Sequence, residues 1–131
     1  MTEFFMAMDP PTATAQERKV AINDGQVVFY DPPKVRAARK KLMAHLSQHK
    51  PEEPYRCGLQ LITKWCFAPH NRNQKPGTYR IIRPDTDNLQ KLLKDCMTKC
   101  GFWQDDALVA SEITEKFWAE VPGIYIRIQP L

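Results

Sequence analysis

Between Asp87 and Cys100 the residues Leu89, Leu92, Leu93, Cys96 and Cys100 fall on one stripe at the 3.6-residue period, and Gly101 follows where a helix should stop. This is the strongest local constraint in the chain: the segment is an amphipathic helix. On a wheel with Asp87 at zero and about 100° per residue, these apolar positions together with Met97 lie between about 140° and 280°. Asp87 and Lys91 lie on the other side, four residues apart, close enough to pair or to converge on one ligand.

Other elements arrange themselves around this helix. The segment "EFFMAMD" places Phe4, Met6 and Met8 on one face of a first strand, and "RKVAIN" and "QVVFYD" flank Asp24-Gly25 as a β-hairpin. Asp31 is expected to cap a helix with proline at its first positions, in which Val35, Ala38, Leu42 and Leu46 face inward. In "CGLQLITKWCF" Cys57, Leu59, Leu61, Trp65 and Phe67 share one side of a strand, with Gln60 and Lys64 opposite. The segment "SEITEKFWAEVPGIYIRI" predicts two strands around a Pro-Gly turn, with Ile124, Ile126 and Ile128 in period-two register. The order β, β-hairpin, α, β, α, β, β predicts an α/β or α+β fold with a mixed, mainly antiparallel sheet and two main helices. At 131 residues and 15.2 kDa it is read as one domain, 1–131, whose single core must also carry the function.

Several function classes lose support. No apolar run approaches the roughly 20 residues that span a bilayer, and "MTEFFMAMDPP" lacks the basic leader of a signal peptide, so a cytoplasmic protein without a membrane role is expected. The four cysteines, Cys57, Cys66, Cys96 and Cys100, show no C-x-x-C spacing and are read as thiols acting as small hydrophobes rather than a zinc site. His45 and His49 lie one turn apart without a third ligand and are taken as surface residues.

The net charge of +4 understates an uneven distribution. Residues 33 to 50 carry Lys34, Arg36, Arg39, Lys40, Lys41 and Lys50 without an acid, and residues 54 to 84 carry Arg56, Lys64, Arg72, Lys75, Arg80 and Arg83, again without one. Basic residues on a helix are often only a solvated face, but two acid-free blocks flanking a cluster of carboxylates favour a polyanionic partner, nucleic acid. Arg36, Lys40 and Lys41, with Arg72, Lys75, Arg80 and Arg83, are the expected DNA contacts.

The carboxylates are Asp85 and Asp87 in "RPDTDNLQK" and Asp105 and Asp106 in "WQDDALV". Either pair alone would pass as helix capping or a turn. Together they repel unless a cation joins them, and Mg²⁺ takes one or two carboxylates plus water and phosphate oxygens. That chemistry suits phosphodiester hydrolysis, with a lysine available to stabilise developing charge. One distance is critical. A 14-residue helix carries the chain about 21 Å from Asp87, and six extended residues return about 20 Å, so Asp106 reaches the helix start only if "FWQDD" folds straight back; otherwise two chains must complete the site.

Residues 83 to 109, "RPDTDNLQKLLKDCMTKCGFWQDDALV", resemble the signature of the RusA family of Holliday-junction resolvases, D-x-D-N-L-x-K, a helix, and a G-[FY]-hydrophobic-x-D-D turn. The resemblance implies a homodimeric, Mg²⁺-dependent crossover junction endodeoxyribonuclease that binds four-way DNA junctions and nicks two opposed strands in DNA recombination and repair, in a setting that is often phage or prophage. It implies Asp85, Asp87 and Asp106 as catalytic and metal-binding carboxylates and Lys91 as the essential lysine, with Asn88 and Asp105 in supporting roles. The opening residues 10–33 follow the family pattern only loosely. Two other readings remain: a non-catalytic junction or duplex-binding protein, and a nuclease for flaps or general duplex DNA.

Overall fold

Why the strand around Leu61 is buried on one face only becomes clear from its neighbours. In a computed structural model, which describes residues 1–13 and 19–131, the elements in chain order are β1 (Thr2–Ala7), β2 (Lys19–Asn23), β3 (Gln26–Tyr30), α1 (Pro33–Leu46), β4 (Leu59–Phe67), α2 (Thr86–Cys100), β5 (Val109–Trp118) and β6 (Gly123–Pro130). Four strands form one sheet in the order β1-β6-β4-β5; β2 and β3 form a separate hairpin. The pairs β1–β6 and β6–β4 are antiparallel and β4–β5 is parallel, so the sheet is mixed and mainly antiparallel. The fold is α+β with two helices, as expected.

Along β4 the side chains of Leu59, Leu61, Thr63, Trp65 and Phe67 are buried, and those between them are not. They meet Met6 from β1 and Ile124, Ile126 and Ile128 from β6 in one apolar cluster, which α1 enters with Ala38, Leu42 and Leu46 and α2 with Leu89, Leu92, Leu93, Cys96 and Met97. α2 ends at Gly101, whose φ of 90° is left-handed and is tolerated by glycine without strain. At the other end of the sheet Gly123 is needed for space, since a Cβ there would lie 2.4 Å from the Met6 carbonyl oxygen.

The segments around Pro122-Gly123 form two strands as expected, β5 and β6, and both pair with β4, one on each side. Three sequence expectations change. Asp31 is not a cap: Pro32 takes that position without a side-chain bond, and Asp31 instead accepts a hydrogen bond from Arg39 Nε at 2.8 Å. Cys57 precedes β4 and is exposed, whereas Cys96 is buried and its thiol is pushed up to about 11, chiefly by desolvation. His49 is no free surface residue, because its ring stacks on Phe4 with centroids 4.4 Å apart. The hairpin forms around Asp24 and Gly25, both at positive φ, while Arg18 of its expected first strand lies outside the described residues. Among the described residues no helix is long and apolar enough to cross a membrane.

Candidate functional site

The polar side of α2 does not face open solvent along its whole length. β5 returns beside it, and the two elements enclose a cavity of about 530 Å³ lined by Asp87, Gln90, Lys91, Lys94 and Asp95 from the helix, Glu112 and Thr114 from the strand, and Asp106 from the connection between them. That connection folds back as the length of the helix demands. Phe102 and Trp103 are both buried, Phe102 N–H donates to the Met97 carbonyl, and Trp103 bridges to Tyr55, which turns the chain along the helix. Asp105 then caps a short 3₁₀ turn, Asp106–Leu108, by accepting from Ala107 N–H at 2.9 Å. Asp105 thereby shapes the turn, and Asp106 lines the same cavity as Asp87 within one chain.

The charges in the cavity divide into paired and unpaired groups. Lys94 is bound to Glu112 at 3.3 Å, and Asp95 lies 3.9 Å from Arg39 of α1. Among the described residues, no ion pair involves Asp87, Lys91 or Asp106. Charged side chains that share one cavity and are not engaged with each other remain available to a ligand from outside the chain.

Asp85 is placed differently. It is the N-cap residue of α2, exposed, with no capping bond from its side chain, and it lies outside the cavity lining. Its charge acts on Lys116, whose ammonium donates to the carbonyls of Ile82 and Pro84 at 2.8 and 2.7 Å and whose pKa is lowered, first by desolvation, then by Arg80, with Asp85 opposing. Asn88 is half-buried one residue beyond Asp87. The structure therefore brings Asp87, Lys91 and Asp106 together and leaves Asp85 at the rim. Among the described residues no three acidic, histidine or cysteine side chains gather closely enough to hold an ion by themselves.

The basic residues also divide. Arg36, Lys40 and Lys41 are exposed on the outer face of α1, although Lys41 Nζ also donates to the Asp9 carbonyl at 2.8 Å. Arg72, Lys75 and Arg83 are exposed on the segment leading to α2. Arg80 is not an outward phosphate contact: it is 6% exposed, its guanidinium lies 4.2 Å from the Phe67 ring centroid and 4.9 Å from that of Trp118, and it donates to the Arg83 carbonyl. Its role is to pin the chain entering α2.

Gln90 is the residue that sequence reasoning misses. It occupies an unspecified position of the D-x-D-N-L-x-K pattern, yet it is 4% exposed and lines the cavity. The signal is present in the wheel, where Gln90 falls about 20° past the edge of the apolar stripe, a place where a polar side chain is enclosed rather than solvated.

Over residues 9–129 the chain matches the family model described as endodeoxyribonuclease RusA. A protein of Lactococcus phage r1t named crossover junction endodeoxyribonuclease rusA is 29% identical over 127 residues, which cover 96% of this chain and 95% of that protein. An uncharacterized protein of Bacillus subtilis (strain 168), YqaN, is 26% identical over 135 residues, covering 95% of this chain and 94% of its own length.

Proposed function

This chain belongs to the RusA family of endodeoxyribonucleases, and from that premise we propose that it resolves four-way DNA junctions by Mg²⁺-dependent hydrolysis of phosphodiesters in two opposed strands, in recombination and repair. The observation that carries the reading is the cavity between α2 and β5, where Asp87, Lys91 and Asp106 lie without ion-pair partners among the described residues. The phage relative bears the corresponding name and covers nearly the whole chain.

The donor set fits a hard divalent cation. Every ionisable acid in the lining is a carboxylate, no thiol or imidazole is present there, and Mg²⁺ is commonly held by one or two carboxylates with water and substrate phosphate oxygens completing its shell. Asp87 and Asp106 would hold the ion from within the cavity, and Asp85 would join them from the helix N-terminus, where no capping bond restrains its side chain. When bound, the cation supplies charge neutralisation at the phosphate and lowers the pKa of an attacking water. Lys91, exposed at the mouth, places a cation against the charge that develops as the water oxygen bonds to phosphorus and the sugar oxygen leaves. Asn88 and Asp105 support this set, Asp105 by shaping the turn that delivers Asp106.

DNA is held by phosphate contacts from Arg36, Lys40 and Lys41 on α1 and from Arg72, Lys75 and Arg83 on the segment before α2, all of them exposed. Two opposed cuts call for two cavities related by a two-fold axis, hence a homodimer. The β2–β3 hairpin supports a second copy: Ile22, Val27 and Phe29 are 78%, 63% and 65% exposed, and a two-stranded hairpin alone is marginal in water.

A mobile, end-labelled four-way junction incubated with the protein in Mg²⁺ and in EDTA tests the reading. Paired symmetric nicks only in Mg²⁺ are expected, with a matched linear duplex left intact. Binding without cleavage would point to a junction-binding protein, and equal cutting of duplex or flap DNA to a less selective nuclease.

A further inference from the structure

Gln90 is held in one orientation by groups behind it. Its Oε1 accepts from Thr63 Oγ1 at 2.9 Å and faces Trp65 Nε1 at 3.5 Å. The indole N–H can only donate, so the atom beside it must be the amide oxygen, and the NH₂ group must turn the other way. Thr63 and Trp65 are themselves fully buried on β4, at 0% and 1% exposure, so the oxygen end of the amide is set in the core. The nitrogen end, Nε2, is buried and has no hydrogen-bond partner among the described residues, and the residue lines the cavity that holds Asp87, Lys91 and Asp106.

A buried amide donor without a partner is costly, and an apolar side chain of similar length would remove the cost if the position served packing alone. The donor lies one helical turn from Asp87 and adjoins Lys91, on the wall of a polar cavity. We propose that Gln90 is a further catalytic residue, whose Nε2 donates a hydrogen bond to a non-bridging oxygen of the scissile phosphate and strengthens as charge accumulates there. Thr63 and Trp65 are its positioning residues. The inference rests on the nuclease reading of the same cavity and adds to it a neutral donor whose amide is already oriented by Thr63 and Trp65.

Two variants separate this role from packing. Gln90→Glu keeps the shape and the acceptor facing Thr63 and Trp65 but replaces the unpartnered Nε2 donor by an oxygen. The double variant Thr63→Val with Gln90→Met removes both ends of the buried hydrogen bond together, the kind of exchange that can leave stability unchanged. Single-turnover cleavage at saturating protein, junction Kd and Tm without DNA are measured for both, on whichever DNA the wild type cuts. The expected result is a folded protein with junction affinity retained and a cleavage rate lower by on the order of a hundredfold, the loss seen when one preorganised donor is taken from a developing oxyanion. If Gln90→Glu fails to fold, the double variant decides alone. A folded variant cutting at the wild-type rate, or a rate that falls only in step with the folded fraction, overturns the proposal while leaving the nuclease reading intact. A wild type that cuts no DNA at all overturns both.

Discussion

The two helices are built on the same 3.6-residue pattern and end in opposite uses of it. α1 buries Val35, Ala38, Leu42 and Leu46 and turns its cations to solvent, with no acidic residue in its first turn and no side-chain cap. α2 buries a similar stripe, but β5 encloses part of its polar side as well, so Asp87, Gln90 and Lys91 line a cavity. The same residue type therefore has two expected functions according to what lies opposite: Lys40 faces open water and Lys91 faces a cavity with unpaired carboxylates. The helices touch through Arg39, which joins Asp31 at 2.8 Å and approaches Asp95, a cavity residue, at 3.9 Å. On the proposed reading, one helix holds a polyanion and the other acts on it.

The largest effect should come from the cavity side of that contrast. Asp87→Asn and Asp106→Asn each keep the size of the side chain but remove a charge that would hold the metal, so cleavage should fall by about a thousandfold or more, with junction binding kept or tightened. Quantified nicking beside gel-shift titration checks this, and EDTA should reproduce the loss in the wild type. Asp85→Asn discriminates further: a loss as deep as the other two would show that the rim carboxylate turns in to join the ion. Lys91→Ala sharpens the contrast, since alanine is the better helix former and thermal stability should hold while turnover collapses.

Affinity is where α1 should answer. Changing Arg36, Lys40 and Lys41 to Ala should lower the slope of log K against log salt by up to about 2.7, at about 0.9 for each phosphate no longer neutralised, with the rate on bound junction unchanged. An unaltered slope would mean that the face is only solvated and would dissolve the division of labour between the helices. At the seam, Arg39→Ala should cost about 1 kcal/mol of stability by removing the bond to Asp31, read from denaturant titration. Gly101→Ala should cost about as much, because nothing lies within 4 Å of the added Cβ and only the left-handed backbone resists it.

How much of this the sequence discloses depends on whether the cause is local. The α2 stripe, its glycine stop, the Asp24-Gly25 turn and the burial of Cys96 follow from neighbours within a few residues, and all are legible. The placing of β5 and β6 on either side of β4 is not, because two strands around a turn carry the same local signals whether they pair with each other or with a third. Arg80 resembles its exposed basic neighbours in the sequence, and only Phe67 and Trp118, from distant strands, make it a buried pin. Asp31 has the composition of a cap and is claimed by Arg39 instead. For Asp106 the chain length leaves two outcomes open, and the burial of Phe102 and Trp103 decides between them.

The position of β6 bears on how the protein comes into being. Among the described residues β6 is the only strand beside β1, with Thr2 opposite Ile128 and Ala7 opposite Gly123, and it also supplies one edge of β4. During synthesis β1 emerges before β6 and has no β6 to pair with until the residues between them have been made. Until then the apolar side chains of Phe4, Met6 and Met8 have no β6 to lie against, and contacts so far apart in sequence make for slow closure. A nascent chain stalled before residue 123 is thus a natural client for chaperones and proteases, and the four-stranded sheet cannot assemble before β6 has been delivered.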